Sequence, residues 1–250
     1  MSTYRIENCA GSAESARRAE LGGAYRVELC AGLPEGGTTP SYGEILTARR
    51  AISIKLNVII RPRSGDFLYT PIEVEAMLAD IRMARELGAD GIVVGCLTAD
   101  GAVDKPLLRR FVEAAEGLPV TFHRAIDVCH DRAQALEDII EAGCARVLTS
   151  GGAASAPEGA DAIAALVKQA AGRIIIMPGA GVTPENVADL ARKTGAREFH
   201  FSGRTAEPSP MRYRHEGVSM GGTVTIDEYA YLFTDPKKIR QAVEALQALE

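Results

Sequence analysis

Two hundred and fifty residues, 46% of them hydrophobic, are enough to bury a substantial core in a single domain. Lys and Arg number 28 against 33 Asp and Glu, a net charge of −5; they are interspersed with the acids, which excludes a phosphate-tracking stripe and nucleic acid as the main partner. No window reaches the roughly 18 apolar residues of a membrane span, and the start has no basic head followed by an apolar run, so no membrane role is expected and the chain is placed in the cytoplasm. The five cysteines (Cys9, Cys30, Cys96, Cys129, Cys144) are odd in number and never spaced Cys-x-x-Cys, which argues for reduced thiols over a disulfide framework.

In chain order, strands are read at 4–8, 25–30, 55–60, 91–95, 120–123, 146–149, 174–177 and 198–201. Helical stretches between them end in Gly and lead straight into a β-rich run, as in "ELGADGIVVG" and "EAGCARVLTS". Gly past a helix end accepts the left-handed backbone that releases the chain, and the Val, Ile and Phe that follow favour a strand. The stops at Gly88, Gly117, Gly143, Gly172 and Gly195 recur every 23–29 residues, one βα unit each. Thr70-Pro71 with Glu73, Thr183-Pro184 and Asp235-Pro236 read as helix starts. Eight such units predict an α/β fold, a (β/α)8 TIM barrel spanning 1–250 as one domain, with an open doubly wound sheet as the competitor. Residues 202–234 separate the last strand from the last helix, far more than a βα loop needs, and are expected to form a long loop that acts as a lid or a subunit contact.

In such a barrel the chemistry lies at the carboxyl ends of the strands. Alternation turns Ile6, Val27, Leu29, Leu56, Val58, Ile60, Phe199 and Phe201 toward the helices. It turns Arg5, Glu7, Cys9, Arg26, Glu28, Cys30, Asn57, Arg61, Thr121, His123, Glu198 and His200 inward. Burying an unpaired ion costs several kcal/mol or more, so these charges either pair as an inert salt-linked layer or open to a wet pocket. In the pocket reading, Glu7, Glu28, His123 and His200 are proton donors and acceptors. Asn57, Arg61, Arg63 and Arg124 hold a ligand together with Ser150, Gly151, Gly179 and Gly181 of the glycine-rich turns "TSGG" and "PGAG". His130 and His215 read as surface residues, and Asp127 opens the loop behind "VTFHRA". Cys9 and Cys30 end two neighbouring strands, in "ENC" and "ELC"; they are either small apolar fillers or a pair able to share a soft ion such as Cu(I).

The stretches "YRVELCAG", "EGGTTPS", "IIRPRSGDFLY", "VTFHRAID", "RVLTSG", "MPGAGV" and "SPMRYR", in this order between about residues 4 and 214, resemble the CutC family of copper homeostasis proteins. Tyr25 stands where an acidic residue is expected, and Ser64-Gly65 replaces a Gly-Gly pair. The resemblance implies a TIM barrel, a cytosolic homo-oligomer linked to copper tolerance, and Cys9 and Cys30 as the positions that would bind Cu(I). A mouth of Glu, Arg, His and Asn equally suits an oxyanionic or hydroxylated ligand. Two alternatives therefore stand beside copper: a metal-independent lyase or isomerase acting on a small sugar, keto-sugar or sugar phosphate, and a non-catalytic oligomeric scaffold.

Overall fold

The computed structural model describes residues 3–215, 217, 218, 220 and 226–250. Eight parallel strands alternate with helices: β1 Arg5–Ala10, β2 Arg26–Leu29, β3 Lys55–Ile59, β4 Gly91–Val94, β5 Val120–Phe122, β6 Arg146–Thr149, β7 Ile175–Pro178 and β8 Glu198–Phe201. They are hydrogen-bonded in the order β7-β6-β5-β4-β3-β2-β1-β8. β7 and β8 pack side by side at the seam, so the sheet is a nearly closed (β/α)8 barrel.

The helices that cover it are α1 Ala13–Leu21, α2 Tyr42–Ala51, α3 Pro71–Glu86, α4 Lys105–Ala114, α5 Arg132–Glu141, α6 Ala160–Ala170, α7 Val187–Thr194 and, after an inserted hairpin, α8 Pro236–Gln247. Local chemistry starts them where the sequence suggests. Thr70 accepts from the Glu73 amide while the Glu73 carboxylate accepts from the Thr70 amide, a complete capping box with Pro71 in the first turn, and Asp235 caps α8 through the Lys237 amide. Thr183-Pro184 differs. There Asn186 Oδ1 accepts from the Thr183 amide, and this turn delays the regular helix to Val187.

Side-chain parity holds along the barrel. Ile6, Val27, Leu29, Leu56, Val58, Ile60, Phe199 and Phe201 are all buried in the apolar layer between strands and helices. The inward positions carry charge, and the register aligns it: Glu7 faces Arg26 on one side and His200 on the other, while Cys9 faces Glu28 and Glu28 faces Asn57. Arg5, at the amino end of β1, stays half exposed and reaches Glu198 at 3.4 Å.

Residues 202–234, read from sequence as a loop, contain two further strands, β9 Arg204–Pro208 and β10 Ala230–Thr234, paired antiparallel. Neither strand alternates apolar and polar residues in a way that would reveal it. Arg18 of α1 fastens this hairpin, bonding Glu207 and stacking over the Phe233 ring 4.5 Å from its centroid. Glu216 of the "SPMRYRHEG" segment, together with residues 219 and 221–225 beyond it, lies outside the described residues.

Candidate functional site

The barrel floor is a buried ionic layer. Arg26 donates from Nε to Glu7 and from Nη2 to Glu198 at 2.8 Å. Arg146 donates to the same Glu198 oxygen at 2.6 Å and to Thr121 at 3.3 Å. Two arginines thus balance two carboxylates, and each of the four is at most 6% exposed. Asn57 closes the layer by donating to Glu7 at 3.3 Å. Arg146, absent from the inward set read from sequence, opens "RVLTS" as Arg26 opens "RVEL", and that shared strand-initial arginine was the available signal.

Above this floor opens a cavity of about 320 Å³, into which Cys9, Glu28, Cys30, Arg61, His123 and His200 project. His200 Nδ1 lies 2.8 Å from Glu7 Oε1 and 4.0 Å from Glu28 Oε2. Burial disfavours the imidazolium, but Glu28, Cys9 and Glu7 outweigh it and hold the ring protonated well above its ordinary range. Burial likewise opposes ionisation of Glu7; the Arg26 charge and the His200 hydrogen bond reverse this and keep it a carboxylate far below its usual range. Glu28 goes the other way: burial, against the pull of His200, raises it from 4.5 to about 8. Two acids and one imidazole in contact therefore divide into an ion pair and a neutral acid.

The sulfurs of Cys9 and Cys30 are 3.9 Å apart, and Cys30 donates to Glu28 Oε1 at 3.3 Å. The hydrogen bond shared with Cys30, aided by His200, outweighs burial to hold the Cys9 thiol well below its normal range, and the same contact with burial pushes Cys30 well above it. Cys9, Glu28 and Cys30 present three donor atoms within 4.8 Å of one another.

The remaining residues singled out in the sequence divide clearly. Arg124 and Gly181 line the cavity. Arg63 does not; it braces its own loop through Glu73 at 2.5 Å and Asp66 at 3.0 Å. Ser150 and Gly151 belong to a turn organised by Asp127, whose carboxylate accepts from Thr149 Oγ1, from the Ser150 amide and hydroxyl, from the Gly152 amide and from Arg124 Nε. The Gly179 amide donates to the Thr149 carbonyl at 2.9 Å. His130 and His215 are exposed. Phe67 and Arg204 also line the cavity. The first lies in an irregular loop and the second begins the inserted hairpin, and the fold of either segment back over the mouth leaves no trace in periodicity.

Asp127→Asn should cost about 2–3 kcal/mol, because hydrogen bonds to an ionised acceptor are worth more than neutral ones and the amide would turn a donor toward donors. The expected readings are a melting temperature lower by roughly 4–10 °C and faster hydrogen exchange at the Ser150 and Gly152 amides; unchanged exchange there would remove the assigned role.

Known proteins share this architecture and its sequence. A model of the CutC family matches residues 4–205. A family protein CutC of Bacteroides thetaiotaomicron is 55% identical over 249 residues, covering 99% of this chain and 100% of that one. The copper homeostasis protein cutC homolog of Homo sapiens is 48% identical over 237 residues, 95% of this chain and 87% of that one. Among solved structures, CutC of Streptococcus agalactiae superposes with a TM-score of 0.77 at 36% identity, covering 80% of this chain and 98% of that one. An aldolase at 18% identity and a TM-score of 0.62 shares the fold.

Proposed function

The chain belongs to the CutC family, and from that membership and the thiol pair at its barrel mouth we propose that it serves copper homeostasis by binding one Cu(I) ion between Cys9 and Cys30. The observation that carries this reading is the 3.9 Å separation of the two sulfurs in the wall of an open cavity. That distance is less than twice a metal–thiolate bond of ~2.3 Å, so one ion can reach both sulfurs with the strands in place. Thiolates select Cu(I) over hard cations. Cys9 is already biased to the thiolate and Cys30 is not, so binding should release about one proton from Cys30 to solvent.

The same reading includes a cytoplasmic homo-oligomer. Among the described residues no helix is long and apolar enough to cross a membrane, and Met211, Tyr213 and Leu232 on and beside the β9–β10 hairpin are exposed apolar groups suited to a subunit contact.

Anaerobic titration of the reduced protein with Cu(I), using a competing chelator, tests the copper site. One equivalent per chain is expected, and Cys9→Ser and Cys30→Ser should each weaken it about 100-fold or more as a soft ligand is replaced by a hard one. Equal affinity in both variants removes the site.

A further inference from the structure

Two hydrogen-bond donors of the mouth are left over by the thiol site. His123 Nε2 and Arg61 Nε are buried and have no partner among the described residues, and both side chains line the cavity at 5% and 6% exposure. An unmade hydrogen bond at a buried donor costs about 1–3 kcal/mol, and here two occur in one wall. We propose that the mouth contains a second ligand site, for the carboxylate of a small organic oxo- or hydroxy-acid, in which His123 Nε2–H and Arg61 Nε–H each donate to one carboxylate oxygen.

Local geometry fixes both donors. The Ala125 amide donates to His123 Nδ1 at 3.2 Å, so that nitrogen is the acceptor and the ring proton sits on Nε2. Burial, and after it the Arg61 charge, lower the ring from 6.5 to about 3, so it remains a neutral donor throughout the physiological range. Arg61 cannot turn: Nη1 donates to the Glu35 and Gly37 carbonyls at 3.2 and 3.0 Å and Nη2 to the Gly65 carbonyl at 2.9 Å. Phe67 holds the two together, its ring centroid 4.9 Å from that of His123 and 5.2 Å from the Arg61 guanidinium carbon.

The chemistry of the ligand is set by what these groups lack. Neither offers a lone pair at its unused position, so the ligand atoms must be acceptors, and the guanidinium charge favours an anion. Two donors match the two oxygens of a carboxylate; three of the four Nη N–H groups of Arg61 are committed to carbonyls, which leaves one for a phosphate's further oxygens. Leu33, Ile59, Leu148 and Val182 supply apolar wall for a short carbon body, and about 320 Å³ lies at the small end of ligand cavities. The site stands at the ends of β3 and β5, the thiols at those of β1 and β2, so the two are separable by mutation.

Titration calorimetry of the intact, copper-free protein with glyoxylate, pyruvate, 2-oxobutyrate and lactate, beside their amides and inorganic phosphate, tests the proposal. At least one carboxylate should bind, with its amide and phosphate about tenfold weaker or more. His123→Phe removes the donor and should lower that affinity at least about tenfold. Gly95→Ala provides a second variant that leaves both donors present: an added Cβ would fall 2.2 Å from His123 Cε1 and 2.4 Å from Nδ1, pushing the ring out of position, with a similar loss. Cys9→Ser should bind the carboxylate as the parent does, and His123→Phe should keep its Cu(I) affinity, so either site can fail while the other stands. No carboxylate binding to the folded protein, preference for phosphate, or full affinity in both variants overturns the proposal.

Discussion

Replacing Arg26 by methionine should lower the unfolding free energy by about 3–5 kcal/mol, the usual consequence of removing one partner from a buried ion network. Arg26 touches Glu7 and Glu198, and both carboxylates are almost fully enclosed. Methionine fills much of the volume, so the loss is electrostatic: among the described residues Glu7 keeps the hydrogen bonds of His200 and Asn57, and Glu198 keeps Arg146 and the half-exposed Arg5. Urea denaturation measures it. The diagnostic comparison is Arg26→Met combined with Glu7→Gln, which removes the abandoned charge and should recover about 1–3 kcal/mol relative to the additive expectation. A single variant within about 1 kcal/mol of the parent would mean that water reaches this layer and screens it.

Glu28→Gln should act in the opposite direction, stabilising the protein as the pH rises. A carboxyl raised from 4.5 to about 8 by burial keeps its proton in the fold across a range in which the unfolded chain has lost it. The native state then binds more protons than the unfolded state, and stability falls as pH increases from about 4.5 to about 8. Glutamine imitates the protonated acid without titrating. At about 1.4 kcal/mol per unit, discounted for relaxation around the ionised group, the variant should exceed the parent by about 2–4 kcal/mol at pH 8 and match it near pH 4. Glu7 has the reverse sign: its carboxyl is depressed, so its contribution is complete above 4.5 and is lost as acid reaches its folded value. Chemical denaturation at a series of pH values separates the two. A difference between parent and Glu28→Gln that does not change with pH would show that Glu28 shares the protonation of the unfolded chain.

The floor must be charged and paired to be stable, whereas the level above it carries groups whose pairing is incomplete. Glu28 Oε2, His123 Nε2 and Arg61 Nε are all buried without a hydrogen bond among the described residues.

The amino-acid sequence determined the barrel, because strand and helix periods, glycine stops and capping residues are local signals that recur once per unit, and strand alternation is a strict consequence of backbone geometry. Thus Glu7, Glu28, His123 and His200 could be turned inward, and Cys9 and Cys30 placed on adjacent strands, from spacing alone. What only the tertiary structure decided is which inward residues meet. Barrel shear brings Cys30 back to within 3.9 Å of Cys9 although Glu28 is the register partner of Cys9. Ion pairing withdraws Glu7 beneath the cavity and commits Arg63 to Glu73, while Asp127 gathers Ser150 and Gly152 from a loop more than twenty residues away. Protonation states are further from sequence still: Glu7 and Glu28 are the same residue type, each two residues before a strand-end cysteine, yet the register sets Glu7 beside Arg26 and Glu28 one level higher beside Cys9, and one is ionised and the other neutral because Arg26 reaches only the first. Such differences arise from distances of a few ångströms between distant parts of the chain, where Coulomb and desolvation energies change steeply.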